Sequence, residues 1–352
     1  MLYYIVKILS REERKMRPMY QLKVDAYSHI VPQKYMKALY KVAPEMHDRQ
    51  ILPHPPLYDL DRRFQIMDRY EPLRQVLTLG RIPVEHVAPP KKAAELAMRA
   101  NDEMAELVSK YRDRFVAALA TLSMTDMDAT LKETDRCIQD LKFKGVYLHT
   151  PVDEKPLDSP EFLPLYQKMA EYDLPIVIHP MRKHDHPDYL TEKTSKYNIF
   201  SLFGWPYDTT SAMARLVFSG IMEKYPNLKI LTHHCGGMVS FYAERIKQFT
   251  QQSEFGREGE RGPGLKRDAI DYFRMFYADT AIYGNTPALM CGHSFFGPDH
   301  ILFGIDFPLG DTEQGDRNYR QTINAIEEMA ISDEDRKKIY EDNARKLMRL
   351  PI

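Results

Sequence analysis

"KVDAYSHIVP", residues 23–32, is the stretch on which the reading of the whole chain turns. It opens as a short apolar-leaning run of the kind that forms a buried strand. It then ends on Tyr27, Ser28 and His29 rather than on another hydrophobic pair, and Pro32 breaks it. A strand that is apolar along its length and polar at its carboxyl end delivers side chains to a site, provided that other strands do the same.

Working outward, short apolar runs alternate with longer amphipathic stretches from residue 20 onward, the pattern of parallel strands joined by helices. Strands are expected at 22–27, 73–79, 116–121, 143–148, 175–179, 228–233, 274–279 and 300–305. Between them, "PKKAAELAMRANDEMAELVSKYRDRF" repeats its apolar residues at three and four, and "SPEFLPLYQKMAEYDL" opens with a Ser cap and an early Pro. These strand–helix units predict an α/β fold, a (β/α)8 TIM barrel. Residues 32–72 are too long for a simple crossover and predict an inserted flap over the C-terminal mouth. A second irregular stretch, 181–210, is expected to line a pocket there. The expected organisation is an N-terminal extension over 1–19 and one barrel domain over 20–352.

Composition narrows the function. With 49 basic and 50 acidic residues and no basic stripe, nucleic acid is not an expected partner. Cys137, Cys235 and Cys291 show no CxxC spacing and no paired framework, which predicts free thiols and a cytoplasmic setting. "MLYYIVKIL" is far shorter than the roughly 20 residues that a membrane span needs, so no membrane partner is expected. Neither a nucleotide-binding glycine loop nor a nucleophilic serine elbow occurs.

The expected strand ends carry His29, His149, His179, His233 with His234, Asp279 and Asp306. Any one histidine in such a place is ordinarily a hydrogen-bonded residue with no further role. Imidazoles and carboxylates converging at one barrel mouth are instead what a divalent cation needs, with zinc, iron or manganese suited to nitrogen and oxygen donors. Around them, Arg62 or Arg63 could grip a carboxylate by a bidentate fork, and a charged helical face is the plainer reading. Phe203, Trp205 and Tyr207 could stack on a planar ring or pack a subunit interface. His184 and His186 in "KHDHPD" have metal-pair spacing but sit in a polar loop.

The pieces "KVDAYSHIVP", "IVIHP", "PNLKILTHHCGGMVSFYAERI", "FYADTA" and "LFGIDFPLG", in that order, resemble the amidohydrolase superfamily. The resemblance is to the branch with α-amino-β-carboxymuconate-ε-semialdehyde, γ-resorcylate and 5-carboxyvanillate decarboxylases, and it covers the chain from about residue 20 to its end. It implies His29, His179 and Asp306 as ligands of one divalent metal ion, zinc or manganese. It implies His234 as the residue acting on substrate or on metal-bound water, with Asp306 taking part in proton transfer, and it leaves His233 to packing, although a one-residue slip of the strand would exchange the two histidines. Relatives carry His-x-His or a glutamate variant where this chain has Tyr27-Ser28-His29. Tyr27 is therefore open to three readings: a phenolate ligand, a neutral donor to substrate, or the mark of a lost metal. Substrate contacts are expected from Tyr27, Arg62, Trp205, Tyr207 and Asp279. The implied function is a metal-dependent, non-oxidative decarboxylase of a small aromatic or unsaturated cyclic carboxylic acid, working as a homodimer. Hydrolysis of a lactone or amide, hydration of an unsaturated dicarboxylate, and a metal-free binding barrel are the alternatives.

Overall fold

Strand β1 spans Lys23–Ile30 with all of its residues buried, as a strand covered on both faces must be. It pairs in parallel with β2 (Leu73–Leu79), and the register slips between Asp25 and Ser28, three steps along β1 matching two along β2. This bulge changes which side chains face inward. Val24 and Ala26 face the barrel interior before it, and Tyr27 joins the same interior after it. His29 follows two residues later, within 5.3 Å of the His179 ring. The computed structural model describes residues 21–80, 82–251 and 265–352; the expected extension over 1–19 lies outside the described residues.

Parallel pairing continues through β3 (Phe115–Ala118), β4 (Ala120–Thr121), β5 (Val146–Thr150), β6 (Ile176–Pro180), β7 (Ile230–Thr232) and β8 (Tyr277–Ala278). The strands group into two sheets, β1-β2-β3 and β4-β5-β6-β7-β8. Backbone bonds bridge the two sheets on both sides. Leu119 N–H reaches Leu77 O at 2.9 Å and Lys144 N–H reaches Ala118 O at 3.0 Å, so the expected third strand is one strand interrupted at Leu119. On the other side, residues 300–307 bond to β8 (Leu302 N–H to Ala278 O, 2.9 Å) and to β1 (Ala26 N–H to Phe303 O and His29 N–H to Phe307 O, both 2.8 Å). The expected eighth strand is thus an extended segment rather than a regular strand. One reason is visible: Phe303 gives its N–H to Ile339 O at 2.8 Å instead of to a neighbouring strand.

Val76, Val116, Val177, Leu231 and Leu302 supply one apolar side chain each to the barrel interior, and Ala344, Leu347 and Met348 near the C-terminus join them. Two residues beyond each of these positions, strand alternation turns the next inward side chain toward the carboxyl end. That step leads from Val177 to His179 and from Leu231 to His233, and two such steps lead from Leu302 to Asp306.

Residues 32–72, expected as an irregular flap, are mostly helical: α1 is Gln33–Val42 and α2 is Leu60–Met67. The Asp59 carboxylate accepts from the N–H groups of Asp61 and Arg62 and so starts α2. The crossovers that follow are α3 (Pro90–Lys110), α4 (Met127–Gln139), α5 (Leu163–Tyr172) and α6 (Gly204–Phe218). Trp205 and Tyr207, expected in a loop, stand in the first turn of α6. Among the described residues, no helix is long and apolar enough to cross a membrane.

Candidate metal centre

One donor atom each from His29, His179 and Asp306 lies within 4.8 Å of the other two, and all three residues are buried. His29 Nε2 stands 2.8 Å from Asp306 Oδ1, and His29 Nδ1 stands 2.9 Å from Thr78 Oγ1. His179 Nδ1 stands 2.6 Å from the Pro180 carbonyl oxygen. A carbonyl only accepts, so Nδ1 carries a proton and Nε2 is the atom left for a second partner. That Nε2 has no hydrogen-bond partner and faces Asp306 Oδ1 at 3.5 Å. An imidazole nitrogen and a carboxylate oxygen that face each other in a buried site without a close hydrogen bond leave a place between them that a cation can fill. A histidine whose other nitrogen donates to a backbone carbonyl is also the usual orientation of a metal ligand. The residues therefore fit a divalent metal, and two nitrogens with one oxygen suit zinc or manganese. Burial alone would raise the Asp306 carboxyl; the His179 and His29 imidazoles outweigh it and hold Asp306 well below the usual carboxylate range.

Above this cluster the chain makes a tight turn through His234, Cys235, Gly236 and Gly237. His234 and Cys235 both take φ of 54°, and Asp306 takes 64°, a left-handed conformation that non-glycine residues adopt only where the surroundings impose it. Here the imposing group is Asp279. Its carboxylate accepts from His234 N at 3.0 Å, Cys235 N at 2.9 Å and Ala281 N at 2.9 Å. Gly237, at φ 63°, lies so near α6 that a Cβ there would sit 2.5 Å from the Pro206 carbonyl oxygen. The turn can thus close on the helix that carries Trp205. The Trp205 indole donates to Arg182 O at 3.1 Å, and its ring lies 5.9 Å from that of His179 and 6.4 Å from that of His234. Burial and the neighbouring His179 and His29, opposed by Asp306, push His234 down to about 4, so it is neutral at pH 7.

Five residues were expected to meet substrate, and Trp205 alone of them borders the cluster with an open face. Tyr27 has no exposed surface and donates its hydroxyl to Asp279 Oδ2. Burial, then the charges of Asp279 and Asp306, raise the phenol well above its ordinary value, which favours the neutral form. Its proton is committed to Asp279 and not to a substrate. Asp279 is likewise fully buried and surrounded by four donors; burial pushes it up to about 7 against the pull of Tyr27 and the backbone N–H groups. Arg62 is exposed on α2 and away from the cluster, and Tyr207 is 54% exposed on α6.

Arg63, beside Arg62, is the buried arginine. Its guanidinium donates to His29 O at 2.7 Å, Ser28 Oγ and Gln75 Oε1 at 2.8 Å, and Pro56 O at 3.2 Å, holding β1 in place beneath the histidine. Thr78 and the Pro180 carbonyl, which orient the two imidazoles, carry no sequence signal beyond their places at the ends of β2 and β6. His184 and His186 are not among the clustered donors. A cleft of about 430 Å³, bordered by Thr150, Met181 and Arg182, opens beside the centre without including its ligating atoms. Its Arg182, Lys183 and Arg215 are each paired with an acid, at 3.0, 2.6 and 2.5 Å.

A barrel with two imidazoles and a carboxylate gathered at its mouth is the frame of a metal-dependent enzyme. The amidohydrolase family model matches residues 24–350, and the chain belongs to that family. It is 31% identical over 301 residues to γ-resorcylate decarboxylase of Polaromonas sp. (strain JS666), covering 82% of this chain and 87% of the relative. It is 27% identical over 284 residues to 2-amino-3-carboxymuconate-6-semialdehyde decarboxylase of Dictyostelium discoideum, covering 78% of this chain and 72% of the relative. The crystal structure of a dihydroxybenzoic acid decarboxylase from Polaromonas sp. JS666, with bound manganese and the inhibitor 2-nitroresorcinol, superposes with a TM-score of 0.73. Its identity to this chain is 26%, with 94% of this chain and 97% of that one covered.

Proposed function

We propose that this protein is a metal-dependent, non-oxidative decarboxylase of a small aromatic carboxylic acid. The observation that carries the proposal is the buried convergence of His29, His179 and Asp306 within 4.8 Å of one another, with His179 Nε2 unpartnered, in a chain whose relatives are named as decarboxylases. His29, His179 and Asp306 would hold the metal. Manganese is favoured by the related structure that contains it, and zinc suits the same donors. When bound, the metal supplies Lewis acidity toward a substrate oxygen, so that electrons left by the departing carboxyl group have a place to reside.

The chain's own residues do the rest. Replacing a carboxylate by hydrogen requires one proton at the ring carbon, and His234, neutral and with Nδ1 unpartnered, can relay it. Asp306, kept ionised, faces the same space and can take part in that transfer. Trp205 offers an aromatic face beside both His179 and His234, on which a planar ring can stack. Asp279 and Tyr27 fix the turn that presents His234.

We place the protein in the cytoplasm as a homodimer. Cys137, Cys235 and Cys291 are free, which suits a reducing compartment. Leu202, Phe203, Tyr207 and Phe241 are 62%, 64%, 54% and 77% exposed on the two segments that meet at Pro206 and Gly237, an apolar surface suited to a second copy. Sedimentation at micromolar concentration tests the dimer, with a 41 kDa species contradicting it. Carbon dioxide release from 2,6-dihydroxybenzoate by manganese-loaded protein tests the activity. Hydrolysis of an aryl ester or lactone without carbon dioxide release would count against it.

A further inference from the structure

Leu231 fills the barrel interior, and two residues on, alternation brings His233 to face the same interior. Ile178 pairs with Thr232, so the next step along both strands sets His233 level with His179. The ring centroids lie 4.4 Å apart, and that of His233 lies 6.2 Å from that of His29. His233 has no exposed surface, and neither of its ring nitrogens has a hydrogen-bond partner. A buried polar group left in that state is costly, and it points to a partner that the protein's own atoms do not supply.

The neighbours of His233 indicate what that partner is. Tyr27 lies against it with ring centroids 3.7 Å apart, but the phenol proton belongs to Asp279, so Tyr27 gives His233 no hydrogen bond. Asp279 Oδ2 stands 3.8 Å from His233 Nδ1. A carboxylate behind one ring nitrogen is the arrangement that turns the other nitrogen of a histidine toward a metal. The rings of His179 and His29 also border His233, and Asp306 is close enough to act on it electrostatically. Tyr27, two residues before His29 on the same inward face of β1, cannot complete that set, because its oxygen is engaged elsewhere.

We propose that His233 is a third imidazole ligand of the metal held by His29, His179 and Asp306, oriented from behind by the Tyr27–Asp279 pair. The proposal rests on the metal reading of the centre. The donor that β1 does not provide at Tyr27 is provided instead by β7. His233 lies outside the group of donors within 4.8 Å of one another, so ligation draws its ring toward that group. Tyr27 and Asp279 then act as positioning residues.

The test is the number of imidazoles on the metal, read from protein labelled with ¹⁵N in the histidine rings and loaded with ¹¹³Cd²⁺. Three ring-nitrogen signals split by cadmium in the wild type, and two in His233→Phe, are expected. The zinc dissociation constant of His233→Phe should rise at least about 100-fold, beyond what loss of a residue that only orients a ligand produces. Two split signals in the wild type, or a third that survives in His233→Phe, would overturn the assignment while leaving a metal site in place. No split signal at all would overturn the metal reading and this proposal together. If His233→Phe fails to fold, His234→Phe takes its place: three split signals that persist in it are expected, and two would overturn the assignment.

Discussion

Asp279→Asn separates a residue that builds the site from one that merely touches substrate. In the wild type, one carboxylate oxygen accepts from Tyr27 and His234 N–H, and the other accepts from Cys235 and Ala281 N–H. An asparagine offers a single oxygen, and its NH₂ group must face two of those donors. Two buried donors without acceptors, at about 1–3 kcal/mol each, give a loss of about 2–6 kcal/mol. The backbone at His234 and Cys235 is also held less firmly in its left-handed conformation. With a urea m-value of about 3 kcal/mol/M, the unfolding midpoint should fall by about 0.7–2 M. The assay is a urea titration followed by circular dichroism, with wild type and variant freed of metal in the same way. A midpoint unchanged within error, alongside lost activity, would refute this reasoning and return Asp279 to the role of a substrate contact.

Arg63→Met removes a buried guanidinium with four acceptors and should destabilise by about 3–5 kcal/mol, whereas Arg62→Ala should stay within about 0.5 kcal/mol; thermal unfolding of the two checks both. His179→Ala should lower manganese affinity at least about 100-fold and abolish turnover, measured by metal content after dialysis and by carbon dioxide release. Trp205→Ala should raise KM for an aromatic acid more than it lowers kcat, as loss of about 1–3 kcal/mol of stacking would require. Burial raises the Asp25 carboxyl to about 7 from 3.8, opposed by Tyr319 and Arg63. A raised folded value means stability that is full below pH 3.8 and lost as pH rises to about 7, so Asp25→Asn should flatten that decline in a pH series of unfolding midpoints.

How much of this was legible in the sequence follows from which periods the sequence encodes. Alternation of apolar residues marked seven of the expected strands and, through their ends, His29 and His179, because a polar residue after Val177 or after Val24 and Ala26 stands out. The segment carrying Asp306 was found by the same signal although it is not a regular strand, since its inward positions still alternate. The bulge at residues 25–28 left no mark, and with it went the recognition that Tyr27 faces inward onto Asp279, a partner 252 residues away.

Two errors have one cause. Arg62 and Arg63 differ by one helical step, about 100°, and Trp205 and Tyr207 by two, about 200°. Nothing in such a short segment says which of two nearby positions faces the barrel. In each case the packing decided: α2 lies on β1 and turns Arg63 inward, and the Gly237 turn against Pro206 turns Trp205 toward the imidazoles. The choice between His233 and His234, which a one-residue slip would exchange, turned on the β6–β7 register, which puts His233 level with His179.

The central claim, a metal-dependent decarboxylase at the mouth of this barrel, is tested most directly by carbon dioxide evolution from 2,6-dihydroxybenzoate. The comparison is between metal-free protein and the same protein restored with one equivalent of Mn²⁺. Evolution only after restoration, and none from His179→Ala treated identically, is the result predicted. Equal evolution from metal-free and restored protein, or none from either across a panel of hydroxybenzoic acids, would contradict it.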